Sequence, residues 1–523
     1  MARKTTPSFI TELPLKVDSK VDKLLISRFQ AGRQLYNACL NEALIRMDLV
    51  RNSEPYKQAK KLHRNKDKKQ RKELFKTARE QARFSDYELQ SFAVLTAKSS
   101  QWIAAQVDSN TQQKSATRAF KSVERILFGM SKQVRFKVTS RFKSVEGKSN
   151  KQGLRWLRNQ VVWCGLKIAP IIDWNNPVIV HGLNSPVKYC RILWRNLNGK
   201  KRWFVQLINE GSPYQKPQNY VKKGIVGLDV NISNVAFVAD NKAGLLPFAE
   251  KVPTFEREIK ALQRKMQRSQ RMHNPDNFES DFEKKIGNKI VRKKGKVKKG
   301  KKQWIKTRNY RRIQAKKAEL ERRKSSYAKY QNCKLVNEIL RHGNQIKTEQ
   351  VSIKGWQKRY GKAISAKSPG FFQSELKRKA ENANGYFLTF STQKTALSQT
   401  HLDGTRIKKS LSQRIHKDVT GFVMHRDLFS AFLSRCVYND TLSLWDAQCE
   451  YPGTEPFLLD AWEQHQRQFL LGETPKTGLP QQSANRVAEC KSRNGYSSLE
   501  QMSDKVLTSN QIAYKSDKLD GNA

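Results

Sequence analysis

Three carboxylates in a strongly basic chain have positions that suit metal-dependent phosphoryl chemistry. Asp229 closes the apolar run GIVGLDV, Glu349 lies in the short run IKTEQVSI, and Asp427 opens the amphipathic segment DLFSAFLSR. Carboxylates that converge at one end of a sheet repel one another unless divalent cations neutralise them. Two Mg²⁺ ions about 4 Å apart could then activate a water and stabilise the leaving oxygen of an in-line displacement. The three acids are therefore the candidate catalytic and metal-binding residues.

Each acid taken singly also has an ordinary structural explanation. An Asp at the end of a strand is about as often a turn or cap residue as a metal ligand. Capping alone would explain Asp427, because an acid in the first turn of a helix is common. Glu349 is harder to explain in this way, since it interrupts an alternating strand and precedes the basic and aromatic segment SIKGWQKRYGK. The hypothesis depends on whether the three acids meet in the fold.

The charge of the chain indicates a polyanionic partner. Lys and Arg number 101 against 46 Asp and Glu, which gives a formal net charge of +55 over 523 residues. Because self-repulsion destabilises a compact state, nucleic acid is the first candidate partner and an anionic membrane surface the second. The membrane is disfavoured because no stretch approaches the roughly 20 apolar residues that span a bilayer, and MARKTTPSF lacks an apolar signal region.

The seven cysteines are scattered, and none of them form a CxxC pair. This spacing is typical of reduced thiols in an intracellular protein, with neither a disulfide framework nor a zinc knuckle. The length alone suggests roughly three or four domains. We expect a cytoplasmic, nucleoid-associated protein of a prokaryote.

Hydrophobic patterning predicts a helical part followed by a β-rich part. The apolar residues recur at helical spacing from about residue 20 to residue 130. Between 130 and 215 the segments are rich in β-branched and aromatic residues, and a strand at 7–17 is expected to join them. Asn198-Gly199 suits a type I′ turn between two of these strands, because that turn needs positive φ at both central residues.

The pattern changes to strands alternating with helices from residue 224. GIVGLDV and NVAFVAD predict two strands, LLPFAEK a third, and residues 253–342 are helical and polar. The basic run KKIGNKIVRKKGKVKKGKKQWIKTRNYRR interrupts this segment, and its glycines predict a loop or flexible hairpin between two long helices. Strand IKTEQVSI, helix FFQSELKRKAENA, strand YFLTFS and a helix at 427–437 follow. The predicted fold class is α+β, with several domains.

Two basic blocks, 58–83 and 284–324, are candidate surfaces for phosphate contacts. A charge run by itself is equally well explained as a solvated tail or a localisation signal. Beside a sheet that binds metal it fits a surface that follows a phosphate backbone, where Trp304 and Tyr310 could stack on bases. The candidate nucleic-acid-binding residues are Lys68, Lys69, Lys293, Lys294, Lys298, Lys299, Arg308, Arg311, Arg312, Lys354, Lys358 and Arg359.

These segments resemble a known family of nucleases. GIVGLDVNISNVAFVADN resembles the first catalytic segment of RuvC-like nucleases. IKTEQVSIKGWQKRYGKAISAKSPGFFQSELKRKAENANGYFLTF resembles the second segment of TnpB and the miniature type V CRISPR effectors. SQTHLDG and LSQRIHKDVTGFVMHRDLFSAFL resemble the region that carries the family's zinc ribbon and third acid, and RFQAGRQLYNACLNEAL resembles its N-terminal helical lobe. The resemblance covers about residues 1–440.

The resemblance implies a two-lobed α+β protein, in which an RNase H-like (RuvC) α/β nuclease domain accompanies a β-barrel-like module with a helical insertion. The first implied lobe has a wedge-like β module at 1–20 and 131–220 and a helical recognition lobe at 21–130. The second has a RuvC-like domain at 221–394 and 425–440, with a basic helical insertion at 253–342. A degenerate zinc-ribbon-like insert without cysteines would lie at 395–424, and a largely disordered tail at 441–523.

The resemblance also implies an RNA-guided DNA endonuclease that depends on Mg²⁺ or Mn²⁺, with Asp229, Glu349 and Asp427 as its catalytic acids. Its partners would be a guide RNA and a double-stranded or displaced single-stranded DNA target. The chain length and missing cysteines favour a miniature type V effector over TnpB. Two alternatives stay open: a guided DNA-binding protein of this family that does not cleave, and a transposon-associated strand-transfer protein.

The cysteines of the family's zinc ribbon are absent from this chain. The family usually places two CxxC pairs around the third acid, whereas this chain has His401 and Gly404 in place of the first pair and HKDVTG at the second. A zinc site from His401, Asp403, His416 and Asp418 is conceivable, but structural zinc strongly favours thiolate ligands. We therefore expect no zinc.

Overall fold

The computed structural model describes residues 6–249, 251–287, 289–300, 302–410 and 413–473, with all their side chains except those of residues 286, 289 and 468–473. The second half of the predicted tail, residues 474–523, lies outside the described residues. The chain forms two compact units, Met1–Gln215 and Lys216–Ala523, and both mix helices with strands.

The first unit contains a group of helices between its first strand and its other strands. Its elements are β1 (Ser8–Pro14), α1 (Ser19–Asn52), α2 (Glu54–Lys61), α3 (Lys68–Gln81), α4 (Asp86–Ser99), α5 (Gln101–Gln106), α6 (Ser109–Leu127), β2 (Ser144–Glu146), β3 (Arg155–Leu157), β4 (Gln160–Trp163), β5 (Leu166–Ile168), α7 (Pro177–Asn184), β6 (Val187–Leu197) and β7 (Lys200–Glu210).

The strands of this unit make two sheets, one with the order β1-β7-β6-β2 and one with the order β3-β4-β5. The resemblance implied a barrel-like module. Strands β1 and β2 end the strand order of the first sheet, and a bridge between Leu15 and Pro170 joins the end of β1 to the chain just after β5. Asn198 and Gly199 join β6 to β7 with φ of 50° and 77°, which confirms the predicted turn with two positive φ angles. The strand predicted at 7–17 pairs with β7, as expected.

The second unit contains a mixed sheet, a long helical excursion and a C-terminal helix. Its elements are β8 (Ile225–Val230), β9 (Asn234–Val238), β10 (Ala243–Pro247), α8 (Val252–His273), β11 (Phe282–Ile286), β12 (Lys289–Lys293), α9 (Arg308–Leu340), β13 (Gln345–Glu349), α10 (Ile353–Lys367), α11 (Pro369–Asn382), β14 (Tyr386–Phe390), α12 (Thr392–Thr395), β15 (Ile415–Lys417), β16 (Val423–His425), α13 (Arg426–Arg435), β17 (Val437–Tyr438), β18 (Thr441–Leu442) and α14 (Leu444–Glu473).

The mixed sheet has the order β10-β9-β8-β13-β14. Strands β8, β9 and β10 form an antiparallel meander, while β13 joins β8 in parallel and β14 joins β13 in parallel. Apolar residues of β8, β9 and β13 pack with those of α9 and α11 in one core. A second core lies under α13 and α14. The middle strand β8 is therefore covered by helices, as the apolar run GIVGLDV predicts.

Two boundaries differ from the sequence-based predictions. The predicted strand IKTEQVSI ends at Glu349, because the Ser352 hydroxyl accepts a hydrogen bond from the N–H of Gly355 and caps a helix that begins at Ile353. The basic and aromatic segment SIKGWQKRYGK is therefore helical and forms the first part of α10. The predicted hairpin between two long helices is confirmed as β11–β12, between α8 and α9.

No helix among the described residues is long and apolar enough to cross a membrane.

Candidate active site

Asp229 and Glu349 lie on adjacent parallel strands of the mixed sheet. Leu228 of β8 pairs with Thr348 of β13, so the next residue along each strand is Asp229 on one and Glu349 on the other. Neighbouring strands run about 4.8 Å apart, and residues in register project to the same face. Both acids are half-buried. The sheet thus places two carboxyl groups side by side where β8 and β13 end.

Helix α13 brings Asp427 to the same edge of the sheet. The helix packs so closely on β8 that a Cβ added at Gly227 would lie 2.1 Å from the carbonyl oxygen of Ala431. Asp427 stands in the first turn, where its N–H donates to the imidazole of His425 at 3.3 Å. Only 3% of Asp427 is exposed. Its position is therefore set by the helix and by the close contact of that helix with β8.

The three carboxyl groups are close enough to perturb ionisation. Burial raises the pKa of Asp229 well above its usual range, and the charges of Asp427 and Glu349 raise it further. Burial raises the pKa of Glu349 to about 7, although a hydrogen bond from the N–H of Leu397 opposes the rise. Both effects disfavour the ionised carboxylates. The site is thus an environment in which a bound cation would restore the charged forms.

Two arginines and a histidine that the sequence analysis did not single out surround Asp427. Nη1 of Arg414 lies 3.3 Å from Oδ1 of Asp427, and Nε of Arg426 lies 3.8 Å from the same oxygen. Burial lowers the pKa of His425 to about 4, so its ring is neutral at pH 7. His425 and Arg426 could have been found from the sequence, because they directly precede Asp427 in the chain. The arginine charges offset part of the repulsion among the acids.

The three carboxylates are the ligand type that Mg²⁺ and Mn²⁺ prefer, but their oxygens are farther apart than those of a formed metal site. Among the described residues they do not form a set whose ligand atoms all lie within 4.8 Å of one another. Hard divalent cations nevertheless take carboxylate oxygens. The pKa of Asp229 is raised first by burial and then by the charges of Asp427 and Glu349, and a cation would offset both effects. Asp229, Glu349 and Asp427 would hold the ion, and Asp427 would exchange its contact with Arg414 for it.

Within the described part of the chain, the group that does meet this spacing is His401, His416 and Asp418, all of them buried. Oδ2 of Asp418 lies 3.2 Å from Nδ1 of His401 and 2.8 Å from Nε2 of His416, and it accepts the N–H of Leu402 at 3.0 Å. Asp403, the fourth residue that the sequence suggested, is exposed and instead accepts hydrogen bonds from Thr405.

This group connects the start of the cysteine-free insert to its β15–β16 hairpin. The His416 ring also stacks on Phe429 of α13, with the ring centroids 4.4 Å apart. Structural zinc normally takes four donors and prefers thiolates, whereas this group offers three donors and no thiolate. Nε2 of His416 bonds to Asp418, Nδ1 of His401 accepts the N–H of Val419, and Nε2 of His401 has no partner among the described residues. The residues do not fit a zinc ribbon, and the insert is connected to α13 by hydrogen bonds and ring contacts.

The candidate nucleic-acid-binding side chains are at the surface. Lys293 is half-buried, and the other eleven are exposed: Lys68, Lys69, Lys294, Lys298, Lys299, Arg308, Arg311, Arg312, Lys354, Lys358 and Arg359. Lys68 lines a groove of about 1540 Å³ in the first unit, which nine Lys and Arg side chains and only two Glu side chains surround. This charge balance suits a phosphate backbone.

The predicted stacking role of Tyr310 is wrong. Tyr310 is only 5% exposed, and it lies five helical turns before the buried Ala328 on the same face of α9. Trp304 is half-buried and packs edge-on against Phe278, with the ring centroids 5.7 Å apart. Tyr310 therefore belongs to the packed face of α9 and has no surface for a base.

The chain has structural neighbours of low sequence identity, among them two Cas12f proteins. No protein-family model and no curated protein matches the chain. The chain is similar to a Cas12f1 in its complex with sgRNA and target DNA, with 10% identity and a TM-score of 0.40, over 82% of this chain and 98% of that one. It is also similar to a Cas12f of a ternary CRISPR complex, with 10% identity and a TM-score of 0.27, over 82% and 86%. Both TM-scores lie below 0.5, so the functional argument rests on the site.

Proposed function

We propose that this protein is an RNA-guided, metal-dependent DNA endonuclease with an RNase H-like catalytic domain. The observation that carries the proposal is the convergence of Asp229, Glu349 and Asp427 at one edge of the mixed sheet. The strand order β10-β9-β8-β13-β14, with three antiparallel strands followed by two parallel ones, supports the RNase H-like assignment. The acids stand on two neighbouring strands and one helix, which is the arrangement that the sequence predicted.

The residues of the chain suit hydrolysis of a phosphodiester. Bound Mg²⁺ or Mn²⁺ supplies a water of lowered pKa and charge stabilisation at the leaving oxygen. Asp229 and Glu349 are fixed by the sheet, and both would orient the phosphodiester by holding the cation beside it. Asp427 would leave its contact with Arg414 to hold the cation, and the guanidinium of Arg414 would then be available to a phosphate oxygen.

Guide RNA and DNA are the proposed partners because the charge is large and widely spread. The net charge of +55 and the basic groove of the first unit both favour long phosphate backbones over small anions. The sequence resemblance to the type V effectors supports a division of labour in which base pairing selects the target. One structural neighbour, a Cas12f1, is in a complex with sgRNA and target DNA, which are the same classes of partner.

The active-site assignment is tested with the ribonucleoprotein and a DNA that matches its RNA. We expect Asp229→Asn to reduce the cleavage rate in Mg²⁺ by more than about 100-fold. Loss of a residue that only supports a metal ligand by a hydrogen bond typically costs roughly 10–100-fold, and loss of a ligand should cost more. RNA retention should be unchanged. Asp276→Asn, which neutralises an exposed acid of the same unit, should cut at the wild-type rate.

Three outcomes would select other functions. Cleavage by Asp229→Asn at the wild-type rate would contradict the assigned site. A wild-type complex that retards matched DNA and never nicks it would identify a guided binding protein. Joined DNA ends in place of cleaved ones would identify a strand-transfer protein, and sequencing of the RNA that co-purifies would separate a repeat-derived guide from a transposon-end RNA.

A further inference from the structure

A two-stranded ribbon projects from the helical excursion of the second unit. Strands β11 and β12 pair from Phe282↔Lys293 to Ile286↔Lys289, and Gly287 stands in the connecting turn with φ of 58°. We call residues 282–293 the arm. None of these residues belongs to the candidate active site, although the sequence predicted a loop or flexible hairpin here and named Lys293 as a candidate contact to nucleic acid.

The base of the arm is held rigidly by its own neighbours. Asn274 is 6% exposed, accepts the N–H of Ile305 at 2.7 Å and donates to the carbonyl of the same residue at 3.1 Å. Arg271 donates to the carbonyl of Gly295 at 2.7 Å and lies 4.4 Å over the ring of Phe278. These contacts connect the end of α8 to the segment that follows the arm.

The arm itself is uncovered on both faces. Among its described side chains none is buried, and Ile290, Val291 and Phe282 are 70%, 40% and 44% exposed. An isolated two-stranded ribbon is at best marginally stable in water, and it normally packs one face on a core. A ribbon that exposes apolar residues along its length indicates a surface that binds a partner.

The charge of the arm identifies the chemistry of that partner. The arm contains five Lys and Arg and a single acid, Glu283, and four more Lys follow it between residues 294 and 299. In the pairing, Lys284 stands opposite Val291 and Lys285 opposite Ile290, so each face presents a cation beside an apolar side chain. A polyanion with apolar edges matches this pattern better than a plain anionic surface, because cations contact phosphates while apolar groups contact bases or thymine methyls.

We infer that the arm inserts into the major groove of B-form DNA. That groove is about 12 Å wide and admits a two-stranded ribbon. The major groove of an A-form RNA helix is deep and narrow and excludes it. This inference rests on the proposed function for its DNA partner, and it assigns a duplex-reading element outside the catalytic site.

The arm is tested by binding, without cleavage, in a buffer that contains EDTA. The full-length protein carrying Lys284→Gln, Lys285→Gln and Arg292→Gln is titrated with a 30-base-pair DNA duplex and with an RNA duplex of matching sequence. We expect the DNA slope of log K against log[salt] to fall by about 0.9 for each lost phosphate contact, with RNA-duplex binding unchanged. A control with Lys68→Gln, Lys69→Gln and Lys72→Gln removes equal charge and should weaken both duplexes alike.

The groove is identified with DNA in which glucosylated hydroxymethylcytosine fills the major groove. Wild-type protein should bind this DNA more weakly than plain DNA, whereas the arm variant should bind the two equally. Equal loss of RNA and DNA binding by the arm variant, or wild-type binding that ignores the glucosyl groups, would overturn the inference. Neither result depends on cleavage, so failure of the arm is separable from failure of the active site.

Discussion

At the residue scale, Asp229 shows the energetic consequence of grouping acids for catalysis. Its pKa is raised by burial and by Asp427 and Glu349, so the ionised side chain destabilises the fold at every pH above its usual pKa of about 3.9. The same repulsion that costs stability in the free protein is what a divalent cation relieves. A residue of this kind is expected to trade stability for activity.

We therefore expect Asp229→Asn to raise the melting temperature in metal-free buffer at pH 7, by roughly 2–4 °C for each kcal/mol of relieved repulsion. The difference should shrink as the pH falls toward 4, because wild-type Asp229 then takes up a proton. Differential scanning calorimetry across pH measures it. Mg²⁺ should stabilise the wild type and leave the variant unchanged, and the exposed Asp276→Asn should show no shift; a variant that melts below the wild type would contradict the argument.

At the element scale, the contact between α13 and β8 fixes the distance between Asp427 and Asp229. Gly227→Ala places a methyl group 2.1 Å from the carbonyl oxygen of Ala431, so α13 must move outward. We expect a loss of roughly 1–3 kcal/mol of stability and a larger loss of cleavage than of guide binding. Gly453→Ala in α14 adds its methyl group to open space and should leave both properties unchanged. Equal cleavage by the two variants would show that the helix contact does not position the site.

Much of this arrangement could be predicted at the same scale. The acids at the ends of β8 and β13 could be predicted to be neighbours because apolar strand runs end at them. The contact between Arg414 and Asp427 could not be predicted in this way. It depends on how the insert folds, and that fold includes the contact between His401 and Asp418. The burial of Tyr310 was predictable in principle, because the helical period from Ala328 leads to it. It was missed because the basic residues around it suggested an exposed surface.

At the scale of the whole molecule, the excess of positive charge dominates behaviour. We expect the slope of log K against log[salt] for nucleic-acid binding to be steep, because each neutralised phosphate contributes about 0.9 to it. Fluorescence anisotropy titrations at salt concentrations from about 50 to about 400 mM measure this slope. A nearly flat plot would exclude the roles given to the basic groove and to the arm.

The parallel pairing of β8 with β13 also has a consequence for biogenesis. Leu228 meets Thr348 only after 120 further residues have been made, and Asp427 follows later still. Contacts so distant along the chain form late and slowly. During synthesis β8 therefore remains without its parallel partner until β13 has been made. A chain that terminates before Asp427 has the basic surfaces but lacks the complete set of acids. Such a fragment would bind nucleic acid without the means to cut it.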